Sequence, residues 1–417
     1  MKLSEDLQWR GLIKDRTFDD ITWLDTPRTF YLGADAGSAD SLTIGNLAIF
    51  MTARRLNEAG WKTVLLVGGA TSLIGDPGGK ETERELKTRE EVEANVAGIR
   101  EQVKQIFAGR QFTMVDNYDW FKDVGYLEFL REVGKHYSMT ELIQRDYIAS
   151  RIGESGSGIS YAEFSYSLVQ GYDYWYLYKN HGVELQIGAS DQWGNILSGA
   201  PLIRKKEGKE VHAFVMPLVI NRSTGKKFGK SEEGAVWLDS KRTSVTQMYQ
   251  FWINVEDDAV EDYMKIYTFL NRDEITGIMA AHAADAGKRL AQRRLAYEVT
   301  AIVHGEAAAR DAEVATDVLT GVTPIGETDE AAVALLRADL PTFSIASDGD
   351  IIVALTETGL AASNTEARRF LKENAVSVNG QKVQRDRFEV ADFQNGRLLL
   401  RKGKKFKDSA LIELVDA

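Results

Sequence analysis

Up to about residue 220 the chain alternates short apolar runs of β-like character with amphipathic stretches. Candidate strands are Thr29–Asp35, Thr63–Gly69, Phe112–Asn117, Val183–Gly188 and Ala213–Ile220. Between the first two, Ile44, Leu47, Ala48, Met51 and Leu56 recur at helical spacing across Ile44–Ala59, and Gly60 follows as a stop. Strand, helix and strand in about 35 residues make one βαβ unit, and its repetition implies a doubly wound parallel sheet. Two further stretches, Val92–Ala108 and Gly125–Gly134, have the pattern of helices covering such a sheet.

From Ser244 to Leu319 the pattern is helical throughout, ending in an Ala/Arg-rich run from Glu274. Gly321–Asp329 breaks it, and Ser347–Asp350 is a second break. Beyond lie a short amphipathic helix pair and three strand-like runs, Val376–Val378, Arg387–Val390 and Arg397–Leu400, with Asn379-Gly380 as a turn. The fold expected is an α/β, Rossmann-like catalytic domain over 1–225. It is followed by a basic loop and α-helical domain over 226–325, a linker over 326–347 and a small α+β domain over 348–417.

Composition changes this picture little. A chain of 417 residues, 44% hydrophobic and 27% charged, is long enough for two or three domains. It has no cysteine, so disulfides and thiolate metal sites are excluded. The N-terminus is charged with no apolar run behind it, and no stretch reaches the ~18 apolar residues of a membrane span, so a cytoplasmic location is expected. A net charge of −11 argues against non-specific coating of nucleic acid. The distribution qualifies that: from Ile351 onward 12 Lys/Arg face 9 Asp/Glu, and five of the seven residues Arg401–Lys407 are basic. A binder of a folded nucleic acid and a solvated charged tail both fit that distribution.

Two glycine–lysine stretches, Gly75–Lys80 and Gly225–Ser231, are each one residue short of the G-x-x-x-x-G-K-[ST] phosphate loop. More informative is the segment Ser38–Asn46 (Ser-Ala-Asp-Ser-Leu-Thr-Ile-Gly-Asn), a polar entry to a helix directly after an apolar strand. A strand end, a small-residue turn and a helix N-terminus offer backbone N–H groups and a positive dipole to phosphate. Far downstream lies the short basic run Lys227–Ser231 (Lys-Phe-Gly-Lys-Ser). Taken singly, the first also reads as a capped surface turn and the second as a solvated charge run.

As a pair, and in this order, they resemble the two signatures of class I aminoacyl-tRNA synthetases, written HIGH and KMSKS. Ala162–Tyr166 (Ala-Glu-Phe-Ser-Tyr) and Gly188–Asn195 (Gly-Ala-Ser-Asp-Gln-Trp-Gly-Asn) narrow the resemblance to the bacterial tyrosyl-tRNA synthetases, across nearly the whole chain. The resemblance implies activation of L-tyrosine with ATP to tyrosyl-AMP and pyrophosphate, with Mg²⁺ arriving on ATP and no resident metal. Tyrosine then passes to the 3′ end of tRNA(Tyr). It also implies a homodimer joined through the catalytic domain, around residues 125–170 and Tyr161.

Residue by residue, Thr43 and Asn46 stand where the family carries its two signature histidines, and each keeps a hydrogen-bond donor. Ala36-Gly37-Ser38 stands where relatives carry Pro-Thr, with Ser38 the counterpart of the threonine. Lys227, Lys230 and Ser231 correspond to the basic signature that contacts the departing phosphates. Gly33, Asp35, Gly45, Gly188 and Asp191 would surround ATP, with Lys80 and Arg84 reaching pyrophosphate. For tyrosine, Tyr166, Gln170 and Asp173 share one helical face. The resemblance assigns these three, with Asp76, to the α-ammonium, and Asp173 with Tyr31 to the phenol. Gln192 would meet the carboxylate, and Asn117 with Trp120 would back the pocket. Residues 348–417 resemble an S4-like RNA-binding module, with Arg368, Arg369, Arg401, Lys402, Lys404 and Lys405 as RNA contacts. A tryptophan-specific relative and a synthetase-derived RNA-binding protein without the activation step remain alternatives. The absence of both signature histidines favours the latter, and Lys230-Ser231 speaks against it.

Overall fold

The computed structural model describes residues 1–37, 39–76, 87–152, 158–221, 225, 230–231, 234–403 and 406–415; at 146, 147, 230, 231 and 234 it describes the backbone only. The chain divides into two compact units. One holds Met1–Arg242 with Glu261–Ile275, the other Thr243–Val260 with Thr276–Ala417.

The first unit is built on a six-stranded sheet of β1 (Asp15–Arg16), β2 (Thr29–Ala34), β3 (Lys62–Val67), β4 (Thr113–Asp116), β5 (Leu185–Ala189) and β6 (His212–Met216). Their order is β1-β6-β5-β2-β3-β4, parallel except for the β1 edge. The expected strand Ala213–Ile220 stops at Met216. From β2 the chain winds outward through β3 and β4, then returns to β5 on the other side of β2. That reversal between β2 and β5 is a topological switch point, where the carboxyl ends of the strands leave a crevice.

The longest helices described in this unit are α1 (Ile44–Glu58), α2 (Arg89–Ile106) and α3 (Tyr161–His181). Helix α3 starts on Ser160, whose Oγ accepts from Glu163 N at 3.2 Å. The same Glu163 forms a buried bidentate pair with Arg151 at 2.8 and 2.9 Å, fixing the helix entry. Helix α1 is buried on most sides and carries Arg55, whose guanidinium donates to the carbonyls of Lys265, Ile266 and Thr268. Arg10 donates to Lys265 O and Leu270 O at 2.9 and 2.8 Å. Burial lowers the Arg55 pKa to about 9. These bonds satisfy a helix C-terminus, and they explain why 261–275 belongs to the first unit although its sequence pattern continues the helical stretch from Ser244.

In the second unit the helices Val245–Ile253, Leu290–His304 and Glu306–Thr320 are followed by α4 (Glu330–Asp339). A five-stranded sheet comes next: β7 (Thr342–Ile345), β8 (Val376–Val378), β9 (Gln381–Lys382), β10 (Arg397–Lys402) and β11 (Ser409–Leu414). The interval 326–347, expected as a linker, therefore holds a helix and an edge strand. Val333 and Leu336 of α4 are buried against Leu399 and Leu411, and β7 pairs parallel with β11. Asn379 and Gly380 have φ of +47° and +83°, so the asparagine–glycine turn is formed, but it pairs β8 with β9. Arg387–Val390, expected as a strand, contributes only one bridge, Arg387 to Asp350, before a 3₁₀ turn at Val390–Asp392.

Candidate active site

At the switch point lies a cavity of about 740 Å³. It is lined from β2 and the residue after it by Tyr31, Gly33 and Asp35, from β5 and the turn after it by Gly188, Asp191 and Gln192, from α3 by Tyr166, Gln170 and Asp173, and from the start of α1 by Thr43, Gly45 and Asn46. Residues far apart in sequence thus meet, because α3 turns one face to the crevice between β2 and β5.

Asp173 forms the closed end. It is 1% exposed, and Asn117 Nδ2 and Trp120 Nε1 donate to its two oxygens at 3.1 and 2.9 Å. Burial nevertheless raises its pKa to about 7. Asn117, itself fully buried, also donates to Thr71 Oγ1 at 3.1 Å and accepts from Ala70 N at 2.7 Å, so it backs the cavity without lining it. Tyr31 Oη is buried with no hydrogen-bond partner, and burial together with the Asp173 carboxyl raises its pKa. A carboxyl that accepts and a phenol that needs a partner are set at one end. Asn117 and Trp120 hold the Asp173 carboxyl at this end.

Asp76, also lining the cavity, accepts from Gln192 Nε2 at 2.6 Å and from Asn195 Nδ2 at 3.2 Å. After β2, Asp35 Oδ1 accepts from Gly37 N at 2.8 Å and Ser72 Oγ at 3.1 Å. A Cβ at Gly188 would lie 2.5 Å from Ile196 Cδ1, so a side chain there would require the end of Ile196 to move.

The start of α1 is stitched to the chain that follows the basic run. Ile44 N donates to Val236 O at 3.0 Å, Leu238 N donates to Leu42 O at 2.8 Å, and Thr43 bridges Trp237. Just upstream, Lys230–Ser231 and Gly234–Ala235 form a short antiparallel hairpin. The start of α1 is thus held beside the segment that leaves this hairpin. Ser38, Lys80, Arg84 and Lys227 lie outside the described residues, and Lys230 and Ser231 are described by backbone alone.

Thr43 differs from expectation. Its N–H and hydroxyl both donate to Asn46 Oδ1, at 3.0 and 2.9 Å, so the hydroxyl is committed to the helix cap. Asn46 lines the cavity, and its Oδ1 is the acceptor of both bonds. Gln186 and Trp237, not expected from the sequence, also line the cavity. Gln186 is 3% exposed, with its Oε1 unpartnered. The signal was a lone amide inside the apolar strand Val183–Gly188, a costly place for a polar group unless it faces a ligand.

A family model described as tRNA synthetases class I (W and Y) matches residues 25–320. The chain belongs to this family. A second model, for the tyrosine–tRNA ligase SYY-like C-terminal domain, matches 332–407 of this class I synthetase. A tyrosine–tRNA ligase of Anaeromyxobacter dehalogenans is 41% identical over 416 residues, covering 97% of each chain. One from Neisseria meningitidis is 43% identical over 389 residues, covering 91% of this chain and 89% of that one. Among solved structures, a C-terminally truncated mitochondrial tyrosyl-tRNA synthetase of Aspergillus nidulans matches with a TM-score of 0.67 at 32% identity, over 75% of this chain and 92% of that one.

The C-terminal part of the synthetase sorts its basic residues by strand alternation. Along β10, Leu398 and Leu400 face one core, and Leu399 faces the other with α4. Arg401 follows Leu399 to that inner face, where its guanidinium donates to Leu319 O and burial lowers its pKa. This bond ties it to the helix Glu306–Thr320 within the unit. Lys402 is on the opposite face with its Nζ 4.4 Å from the Phe370 ring centroid, and the Arg369 guanidinium lies 5.2 Å from the same ring. Arg368 and Arg369 are exposed. Lys404 and Lys405 lie outside the described residues.

Proposed function

We infer that this class I synthetase is a tyrosine–tRNA ligase, and that the cavity at the switch point holds tyrosine at its Asp173 end and ATP toward α1. The observation that carries the reading is the buried end itself. A phenolic hydroxyl has one donor and two acceptor lone pairs, which match the Asp173 carboxylate and the Tyr31 O–H. An indole N–H would supply a donor to Asp173 and leave Tyr31 unsatisfied, which disfavours tryptophan. Phenylalanine would leave Tyr31 unsatisfied and Asp173 with only its Asn117 and Trp120 bonds, a form of discrimination for which tyrosyl-tRNA synthetases are the established example.

On this reading Asp76, Tyr166 and Gln170 hold the α-ammonium, and Gln192, donating to Asp76, turns toward the carboxylate. That carboxylate attacks the α-phosphate of ATP, the bond to the β-phosphate breaks, and pyrophosphate leaves. The step needs positioning and charge stabilisation more than proton transfer. The α1 N-terminus with Asn46, together with Lys227, Lys230 and Ser231, supplies that stabilisation, and Mg²⁺ enters with the nucleotide as part of the substrate. Gly33, Asp35, Ser38, Gly45, Gly188 and Asp191 shape the nucleotide site, with Lys80 and Arg84 on the pyrophosphate side. The adenylate then passes its tyrosyl group to the 3′ end of tRNA(Tyr). Residues 348–417, with Arg368, Arg369, Lys402, Lys404 and Lys405, provide RNA contacts.

The same reading includes a homodimer in the cytoplasm. Tyr126, Leu127, Met139 and Tyr161 of the first unit are 58 to 78% exposed, an apolar surface suited to a second copy. No described helix is long and apolar enough to cross a membrane. The direct test is charging of tRNA(Tyr) with labelled tyrosine by the purified chain in the presence of ATP and Mg²⁺. Absence of charging by a folded chain would overturn the reading.

A further inference from the structure

One face of α2 grips the nucleotide turn from outside the cavity. Asn95 Nδ2 donates to Ala36 O at 2.7 Å. One turn on, Gly98 passes so close to Asp40 O that a Cβ would lie 2.2 Å from it. One turn further, both ends of the Gln102 carboxamide are used: Oε1 accepts from Leu42 N at 2.8 Å, and Nε2 donates to Ser41 Oγ at 3.0 Å. Residues 95, 98 and 102 stand at helical spacing on a single face.

Ser41 is where three segments meet. Its hydroxyl donates to Leu42 O at 2.9 Å, and it accepts both from Gln102 and from Asp239 N at 3.2 Å. One donor and two acceptors exhaust a hydroxyl. The Asp239 bond lies directly beside the Leu238–Leu42 and Val236–Ile44 backbone bonds. The Arg242–Asp40 ion pair extends the same contact. Helix α2, the residues Ala36 and Asp40–Leu42, and the segment 236–239 are thereby held in one register. Thr43, Asn46 and Trp237, which line the cavity, flank these bonds.

We propose that Gln102, which does not line the cavity, is a positioning residue for the nucleotide end of the site. It acts through Ser41, fixing the start of α1 against the segment that follows the basic run. Loss of Gln102 lets that register shift by a fraction of an ångström to an ångström, a displacement that costs up to roughly 100-fold in a rate set by alignment. The tyrosine end stands on β2, β5 and α3 and should be unaffected. The proposal rests on the ligase reading for its activity readout, and it has a second readout that does not.

The test compares the full chain with Gln102→Leu, Ser41→Ala and the double variant. Tyrosine-dependent ATP–pyrophosphate exchange should fall about 10- to 100-fold in kcat for Gln102→Leu, while tyrosine affinity stays within about twofold. The double variant should be little worse than either single one, because both act through one hydroxyl. Gln102→Glu keeps the acceptor for Leu42 N and loses the donor to Ser41, so it should be intermediate; it also serves if the leucine variant does not fold. Independently of activity, the Leu42 and Asp239 amides should lose hydrogen-exchange protection in Gln102→Leu. Unchanged kcat, parallel loss of tyrosine affinity, or full protection of both amides would each overturn the proposal. An inactive parent chain would instead count against the ligase reading, and the amide measurement would still decide the relay.

Discussion

Replacing Asp173 with Asn keeps volume and shape while removing the charge at the closed end of the cavity. Both oxygens of Asp173 already accept one bond, from Asn117 and Trp120. In the variant one of these donors faces an NH₂. That penalty of about 1–3 kcal/mol is present with and without substrate, so it falls on stability and not on binding. What binding loses is the charge-assisted bond from the substrate hydroxyl, about 1.5–3 kcal/mol. At about 1.4 kcal/mol per tenfold, tyrosine affinity should fall roughly 10- to 150-fold. Phenylalanine, with no hydroxyl to lose, should bind no worse, and discrimination should narrow by the same factor. The pH dependence has a defined sign. The Asp173 pKa is raised from 3.8 to about 7, so between these values the folded chain holds a proton that the unfolded chain has released. Its contribution to stability is complete below the unfolded value and is lost as pH rises toward 7. Relative to the parent, Asp173→Asn should therefore gain up to about 1.4 kcal/mol per pH unit across that window. Parallel equilibrium tyrosine titrations and denaturant melts at several pH values read both effects. Unchanged tyrosine affinity in the folded variant would refute the assignment of this end to the phenol.

Asn46→Ala should slow pyrophosphate exchange more than Thr43→Ala, whose main effect should be about 1 kcal/mol of lost helix capping seen in a melt; the reverse order would return Thr43 to the phosphates. Arg401→Ala should destabilise the chain by about 1–3 kcal/mol, since it strands Leu319 O, whereas Lys402→Ala should leave the melt unchanged and weaken tRNA charging in a salt-dependent way. A chain ending near Gly321 should still exchange pyrophosphate but charge tRNA poorly, and loss of exchange in a folded truncation would contradict the placement of the chemistry in the first unit.

The parallel sheet was legible because its strands are continuous apolar runs broken by a helical period, and burial on both faces writes that pattern plainly. The site was legible where the chemistry sits in short segments: Tyr31, Asp76, Tyr166, Gln170 and Asp173 do line one cavity. Three things were not. Residues 261–275 return to the first unit through bonds from Arg10 and Arg55, and a single sequence gives no sign of such distant carbonyl partners. The interval 326–347 looked like a linker because α4 buries only a narrow stripe and β7 is a short edge strand, with a burial pattern that alternates weakly. Arg401 looked like its basic neighbours, and only the register of β10 shows which way it points.

The most direct test of a tyrosine-specific activation site is tyrosine-dependent ATP–pyrophosphate exchange measured side by side with phenylalanine and tryptophan. Exchange with tyrosine, strongly reduced with phenylalanine and absent with tryptophan, is the predicted result. Preference for tryptophan would contradict the phenol assignment of the Asp173 end, and no exchange with any of the three would contradict the activation step itself.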